Sequence, residues 1–79
     1  LPDRLVGMGS TATVRDLGSG AVFTYRLVFP AEADIDRGLI SVLAPLGAAL
    51  LGRSAGEVFS YESPRGAVRT RVEAIAREG

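Results

Sequence analysis

Alternating apolar and polar residues predict two strands in the first third of the chain. Within residues 11–17, Ala12 and Val14 are apolar and the residues between them are polar, which is typical of a half-buried strand. Two glycines in segment 16–20 indicate a turn, because glycine permits the positive φ angles that a tight reversal needs. A second strand is therefore predicted over residues 21–29, with its odd-numbered residues on one face.

The middle of the chain predicts a short strand and a short helix after a polar loop. Residues 31–38 are mostly polar, and residues 39–42 form a short apolar run. Segment 44–52 indicates a helix, because Pro45 suits the first helical position and Gly52 suits the cap after the last one. Its apolar residues recur at helical spacing on one face: Leu46, Ala49 and Leu50.

The last third predicts two strands joined by a tight turn. Residues 57–63 and 67–75 alternate in character, and the four residues 63–66, Ser-Pro-Arg-Gly, suit a hairpin turn. In the last strand, the residues expected to face inward are Val68, Thr70, Val72 and Ala74. The order strand-strand-loop-strand-helix-strand-strand predicts an α+β fold, with an antiparallel sheet curved over one short helix. We expect one domain, residues 1–79, in which residues 1–8 are a lead-in segment.

Composition excludes several classes of site. The 79 residues contain no cysteine and no histidine, which excludes zinc sites built from these ligands, thiolate nucleophiles and Ser–His arrangements. Nine arginines balance nine acidic residues, whereas a tight nucleic-acid binder normally has a basic excess. The longest apolar run, residues 39–51, is too short and too interrupted to span a bilayer. We therefore expect a cytoplasmic protein with neither a membrane partner nor direct tight binding to nucleic acid.

Two charged groups each allow two interpretations. The acidic residues of the loop, Glu32, Asp34 and Asp36, could bind a hard cation, but Pro45 stands where a calcium loop needs its last glutamate. A solvated surface loop with no metal and no cofactor is the favoured prediction. Four arginines are expected to point outward from the sheet: Arg15, Arg26, Arg69 and Arg71. They could form a binding stripe, or they could pair with Glu62 and Glu73 on a solvent-facing surface.

No catalytic arrangement is visible, and one corner of the chain carries the partner-binding hypothesis. Ser41, Ser60 and Tyr61 have no nearby base in the sequence that would activate them. Segment 41–47 places apolar residues and Pro45 at a junction of strand and helix, where a protein can expose a rigid edge to a partner. The alternative is structural: the leucines fill the core, the proline starts the helix, and the glycine permits close packing.

Several segments resemble the C-terminal domain of the Gre (GreA/GreB) transcription elongation factor superfamily. The resemblance covers Gly-Ser-Thr-Ala-Thr-Val at 9–14 and Tyr-Arg-Leu-Val at 25–28. Its most specific part is I-S-V-L-A-P-L-G-A-A-L-L-G at 40–52, which is similar to the Gre pattern I-S-x-x-S-P-x-x-x-x-L-x-G. Phe-Pro-Ala at 29–31 and the alanine before Pro45 resemble the Rnk type, named as regulators of nucleoside diphosphate kinase. Ala44 departs from the usual serine, and Leu43 replaces a residue that is often polar or acidic.

The resemblance implies a fold like that of the FK506-binding proteins and a role in binding RNA polymerase. The partner would be the coiled coil at the rim of the polymerase secondary channel. The implied contact residues are Ser41, Leu43, Ala44, Pro45 and Leu46. Gre factors stimulate transcript cleavage with acidic residues at the tip of an N-terminal helical hairpin that this segment does not contain, so we expect no enzyme activity in it.

The sequence leaves two alternative functions open. One alternative function is regulation of a non-polymerase partner, such as an enzyme of the nucleoside diphosphate kinase pathway. Another is prolyl isomerase activity of the FK506-binding type, which requires a deep aromatic pocket, whereas the chain has three Phe, two Tyr and no Trp. Finally, the unpaired edges of a small sheet predict a weak homodimer.

Overall fold

The structure is a computed structural model that describes residues 5–76. Its regular elements, in chain order, are β1 (Thr11–Asp16), β2 (Val22–Val28), β3 (Leu39–Ser41), α1 (Pro45–Leu50), β4 (Val58–Ser63) and β5 (Gly66–Ala76), with two 3₁₀ turns at Pro30–Glu32 and Ile35–Arg37. Every predicted strand and the predicted helix are present, and their ends lie within two residues of the prediction. Among the described residues, no helix is long and apolar enough to cross a membrane.

The five strands form one mixed sheet in the order β3-β2-β1-β5-β4. The pairs β1–β2, β1–β5 and β4–β5 are antiparallel, as predicted. The pair β2–β3 is parallel, with Leu27 opposite Ile40, so the prediction of an antiparallel sheet is wrong for this pair. The reason is the segment 29–38, whose two 3₁₀ turns carry the chain back along β2 before β3 begins. The α+β fold class is confirmed.

The core lies between the sheet and α1. Leu46 and Leu50 are buried on one face of the helix, which confirms the helical spacing seen in the sequence. They pack with buried residues from β1, β2, β3, β4 and β5: Ala12, Val14, Leu27, Ile40, Phe59 and Val72. Of the predicted lead-in segment, residues 1–4 lie outside the described residues, whereas Val6 is buried in this same core. Its backbone bonds to segment 52–53 just after α1.

A β-bulge in β5 changes which residues face the core. Thr13 lies opposite Ala74 and Val14 lies opposite Val72, so Glu73 is an extra residue on β5. Because one extra residue reverses the alternation of side chains, Ala74 is exposed and Ile75 packs against the core. The prediction of an inward Ala74 is therefore wrong, whereas Thr70 and Val72 are buried as predicted.

Candidate partner-binding site

The predicted site is a corner at residues 41–46, where β3 ends and α1 begins. The Ser41 hydroxyl accepts a hydrogen bond from the Leu43 backbone N–H at 3.0 Å, and the Ser41 carbonyl accepts one from the Ala44 N–H at 3.0 Å. The Val42 N–H donates to the Val28 carbonyl at 3.0 Å, which ties the corner to β2. Such side-chain and backbone bonds close a turn and hold its conformation. The corner therefore presents its outer residues on a fixed backbone.

The structure divides the five predicted contact residues between surface and core. Leu43 is 77% exposed, more than any other large apolar side chain among the described residues. Pro45 is also exposed, while Ser41 and Ala44 are half-buried. Leu46 is 7% exposed and belongs to the core. The structural alternative is therefore right for Leu46, but Leu43 is available to a partner.

Close packing of α1 against β3 depends on Gly47. A Cβ at this position would lie 1.9 Å from the Ser41 carbonyl oxygen and 3.2 Å from Leu27 Cδ1. Gly47 does not have a positive φ, so the requirement for glycine is one of space and not of backbone conformation. This confirms the prediction that the glycine permits close packing. Because Gly47 lies in the first turn of α1, its close approach to Ser41 fixes the positions of Pro45 and Leu43 relative to β3.

The first turn of α1 lacks a side-chain cap. Ala44 is the N-cap residue, with extended backbone angles of φ −70° and ψ 152° and no side-chain hydrogen bond to the helix. Serine or aspartate at this position would accept a bond from a free N–H of the first turn. Pro45 at the first helical position has no N–H to satisfy. The helix start is thus held by its neighbours in the fold and not by a local cap.

The opposite end of α1 is held by a polar cluster. Arg53 Nε donates to the Ala49 carbonyl at 2.8 Å, and Arg53 Nη1 donates to Glu57 Oε1 at 3.0 Å. Glu57 Oε2 also accepts from the Ser54 N–H and hydroxyl, both at 3.0 Å. The Ser54 backbone bond, followed by the Arg53 bond, lowers the pKa of Glu57 from its usual value of 4.5. The Arg53 guanidinium also lies 4.9 Å from the Phe59 ring centroid, so it joins α1 to β4.

A shallow apolar groove of about 270 Å³ lies between the corner and the β4–β5 hairpin. Its walls include Pro45 from α1, Tyr25 and Tyr61 from the sheet, and Pro64 from the hairpin turn. Burial is the main cause of a raised pKa of the Tyr61 hydroxyl. The groove also includes Ile35, which is 62% exposed. Ile35 was not predicted as a site residue, although one apolar residue between Asp34 and Asp36 in a polar loop is a visible signal.

Members of both charged groups singled out in the sequence make defined contacts in the structure. Arg71 Nε donates to Glu73 Oε2 at 2.6 Å, and Arg15 Nε lies 3.6 Å from the same oxygen. The Arg71 hydrogen bond lowers the pKa of Glu73. This supports the ion-paired interpretation for part of the arginine stripe. In the acidic loop, the backbone of Asp34 exchanges two hydrogen bonds with Leu39, at 2.8 and 2.9 Å. Residues 5–76 contain no group of three acidic side chains that could hold a metal ion.

Comparison with known proteins identifies the family. The family model described as transcription elongation factor GreA/GreB, C-terminal, matches residues 1–77. The chain belongs to this Gre family. It is 50% identical over 58 residues to transcription elongation factor GreA of Syntrophobacter fumaroxidans, covering 73% of the chain and 37% of that relative. It is 40% identical over 74 residues to GreA of Nitratidesulfovibrio vulgaris, covering 94% of the chain and 46% of that relative.

Solved Gre-family structures share the fold. The GreA factor homologue Gfh1 of Thermus thermophilus superposes with a TM-score of 0.81 at 39% identity, covering 91% of the chain and 48% of Gfh1. A GreA/GreB factor from Nitrosomonas europaea superposes with a TM-score of 0.79 at 35% identity, covering 96% of the chain and 64% of that protein. The chain therefore spans about half the length, or less, of the curated relatives described above. These GreA and Gfh1 relatives give no support to the Rnk subtype.

Proposed function

We propose that this chain is the RNA-polymerase-binding module of a Gre-type transcription elongation factor. In this proposal, the corner at residues 41–46 contacts the coiled coil at the rim of the polymerase secondary channel, and this segment performs no catalysis itself. Membership of the GreA/GreB family supports the general role. The observation that carries the choice of site is the 77% exposure of Leu43 on a hydrogen-bonded corner.

The energetics of the corner favour a contact there. Burying a fully exposed leucine side chain stabilises a complex by about 1.5–3 kcal/mol, so a side chain as exposed as Leu43 contributes about 1–2 kcal/mol. Because the Ser41 bonds already fix the turn, little backbone freedom is lost on binding. Pro45 adds a rigid apolar surface next to Leu43. The buried Leu46 acts indirectly, by anchoring the first turn of α1 in the core.

The test is binding of the purified chain to RNA polymerase, measured by fluorescence anisotropy with and without a competing Gre factor. Leu43→Ala should raise the dissociation constant by about 5- to 30-fold, which corresponds to the loss of about 1–2 kcal/mol. Pro45→Ala should also weaken binding while the domain stays folded. The matched control is Leu51→Ala, because Leu51 is also an exposed leucine but lies at the far end of α1.

Three outcomes would contradict the proposal. Equal losses for Leu43→Ala and Leu51→Ala would move the contact away from the corner. Unfolding of Pro45→Ala would show that this proline is structural, and its assignment as a contact residue would lose its support. Absence of binding at tens of micromolar would refute the module as an independent polymerase binder and would turn attention to a different protein partner.

A further inference from the structure

We propose that the outer edge of β4 pairs with the same edge of a second copy of this chain. Antiparallel neighbours alternate between residues that bond to each other and residues whose backbone groups point away. The Glu57 carbonyl accepts a hydrogen bond from the Val72 N–H on β5 at 2.9 Å. The backbone N–H and C=O groups of the odd-numbered residues in segment 57–63 therefore point toward β5. The N–H and C=O groups of Val58, Ser60 and Glu62 consequently point outward, away from the sheet.

Among residues 5–76, no second strand or loop backbone pairs with this edge. Within the described part of the chain, β5 is the strand paired with β4, and no loop backbone bonds to Val58, Ser60 or Glu62. The other end of the sheet is different: β3 has three residues, and Asp34 already occupies its outer side by bonding to Leu39. Strand edges are usually protected by proline, lysine, a bulge or short length. The six residues of β4, Val-Phe-Ser-Tyr-Glu-Ser, contain no proline, glycine or basic residue.

Two copies of β4 fit each other in one antiparallel register. When Ser60 lies opposite Ser60 of the second copy, Val58 of each copy lies opposite Glu62 of the other. In this register the outward N–H and C=O groups of all three residues in each copy form backbone hydrogen bonds. Ser60 is exposed and small, and it places no bulk or charge on the two-fold axis. Each Glu62 faces Val58, whose neighbour on β5 is Arg71, so this register keeps the two Glu62 carboxylates apart and places each on the same face as Arg71, which also pairs with Glu73.

The expected dimer is weak. Pairing along one six-residue strand buries much less than the roughly 800 Å² per partner of a standard interface, so we expect a dissociation constant of about 0.1–1 mM. Sedimentation velocity from about 10 µM to 1 mM should show the monomer–dimer equilibrium. Ser60→Lys should raise the dissociation constant at least about tenfold, because two lysines would oppose each other on the axis. Ala31→Lys adds the same charge at an exposed position next to β3, the opposite edge of the sheet, and should leave the equilibrium unchanged.

Single cysteines test the register, because the natural chain has none. Directly opposed, bonded residues have Cα atoms about 5.5 Å apart, which a disulfide can span. In the proposed dimer, Ser60→Cys should therefore cross-link under mild oxidation. Glu62→Cys should not, because the two Glu62 Cα atoms would be about 14 Å apart. An equimolar mixture of Val58→Cys and Glu62→Cys chains should cross-link to each other.

Several results would overturn the proposal. A chain that stays monomeric at all concentrations would overturn it. The same result is expected if this edge binds a strand from a different protein. A dimer with the same dissociation constant in the Ser60→Lys variant must use another surface. Cross-linking of Ser60→Cys no faster than that of Glu62→Cys would exclude the register. None of these results depends on whether the corner at residues 41–46 binds RNA polymerase.

Discussion

Gly47→Ala should destabilise the domain, although alanine normally favours a helix. The added Cβ would lie 1.9 Å from the Ser41 carbonyl oxygen and 2.9 Å from its carbon. Since real Cβ contacts shorter than 3.0 Å essentially do not occur, α1 and the end of β3 would have to separate by about 1 Å. The obstacle is backbone, so no rotation of a neighbouring side chain can relieve it.

The size of this effect follows from two opposing contributions. Forcing extra volume into a packed site costs about 1–3 kcal/mol, and the need to move two backbone elements places Gly47 near the upper end. Alanine recovers up to about 1 kcal/mol through its higher helix propensity. The expected net loss is about 2 kcal/mol. A domain of this length has a total unfolding free energy of only about 4–12 kcal/mol, so the loss is readily measurable.

Urea denaturation followed by far-ultraviolet circular dichroism is the appropriate assay. The control is Gly7→Ala: its Cβ would meet only the Ser10 hydroxyl, at 3.8 Å, and Gly7 does not have a positive φ. Its unfolding free energy should change by less than about 1 kcal/mol, in the stabilising direction if at all. If Gly47→Ala were as stable as the parent, the close approach of α1 to β3 would not constrain the corner, and the reasoning would be refuted.

Two further predictions concern the two ends of α1. The lowered pKa of Glu57 means that its carboxylate stabilises the fold above pH 4.5, and this stabilisation is lost as the pH falls through the lowered pKa. Between about pH 5 and pH 3, Glu57→Gln should therefore lose less unfolding free energy than the parent in urea titrations. Equal losses in the two proteins would contradict this prediction. Ala44→Ser should raise the unfolding free energy by about 0.5–1 kcal/mol by supplying the missing N-cap, whereas Ala48→Ser, exposed within the helix, should give no gain.

The sequence was sufficient to predict the elements because local chemistry determines them. Alternation located the strands, and Pro45 with the glycines located α1 and the turns. The bulge at Glu73 was not predictable, because it depends on the pairing of β5 with β1, whereas the alternation continued from Thr70 and Val72 points to Ala74. The parallel pairing of β3 was missed for a similar reason: the direction of a strand depends on the path of the preceding loop.

The sequence located the candidate site, which stays a prediction, whereas the exposure of its residues depends on tertiary structure. The motif at residues 40–52 located the corner, but it could not separate the exposed Leu43 from the buried Leu46, since both are leucines beside a proline. Ile35 lies ten residues before Pro45 in the chain and joins it in one groove because the 3₁₀ turns bring the loop back along β2. Only the folded chain shows that these residues form one surface.

The way the corner is built explains how it accommodates residues that depart from the usual Gre pattern. Its shape depends on the Ser41 hydroxyl and carbonyl, on the Val42 bond to β2 and on the close approach at Gly47. None of these contacts involves the side chain of Leu43, so leucine at this position alters the surface without altering the backbone that presents it. A leucine in place of a polar residue makes this surface apolar. Under the proposed function, the partner surface that fits this corner best is itself apolar at the point of contact, because burying a carboxylate or ammonium group against Leu43 would leave that charge without a partner.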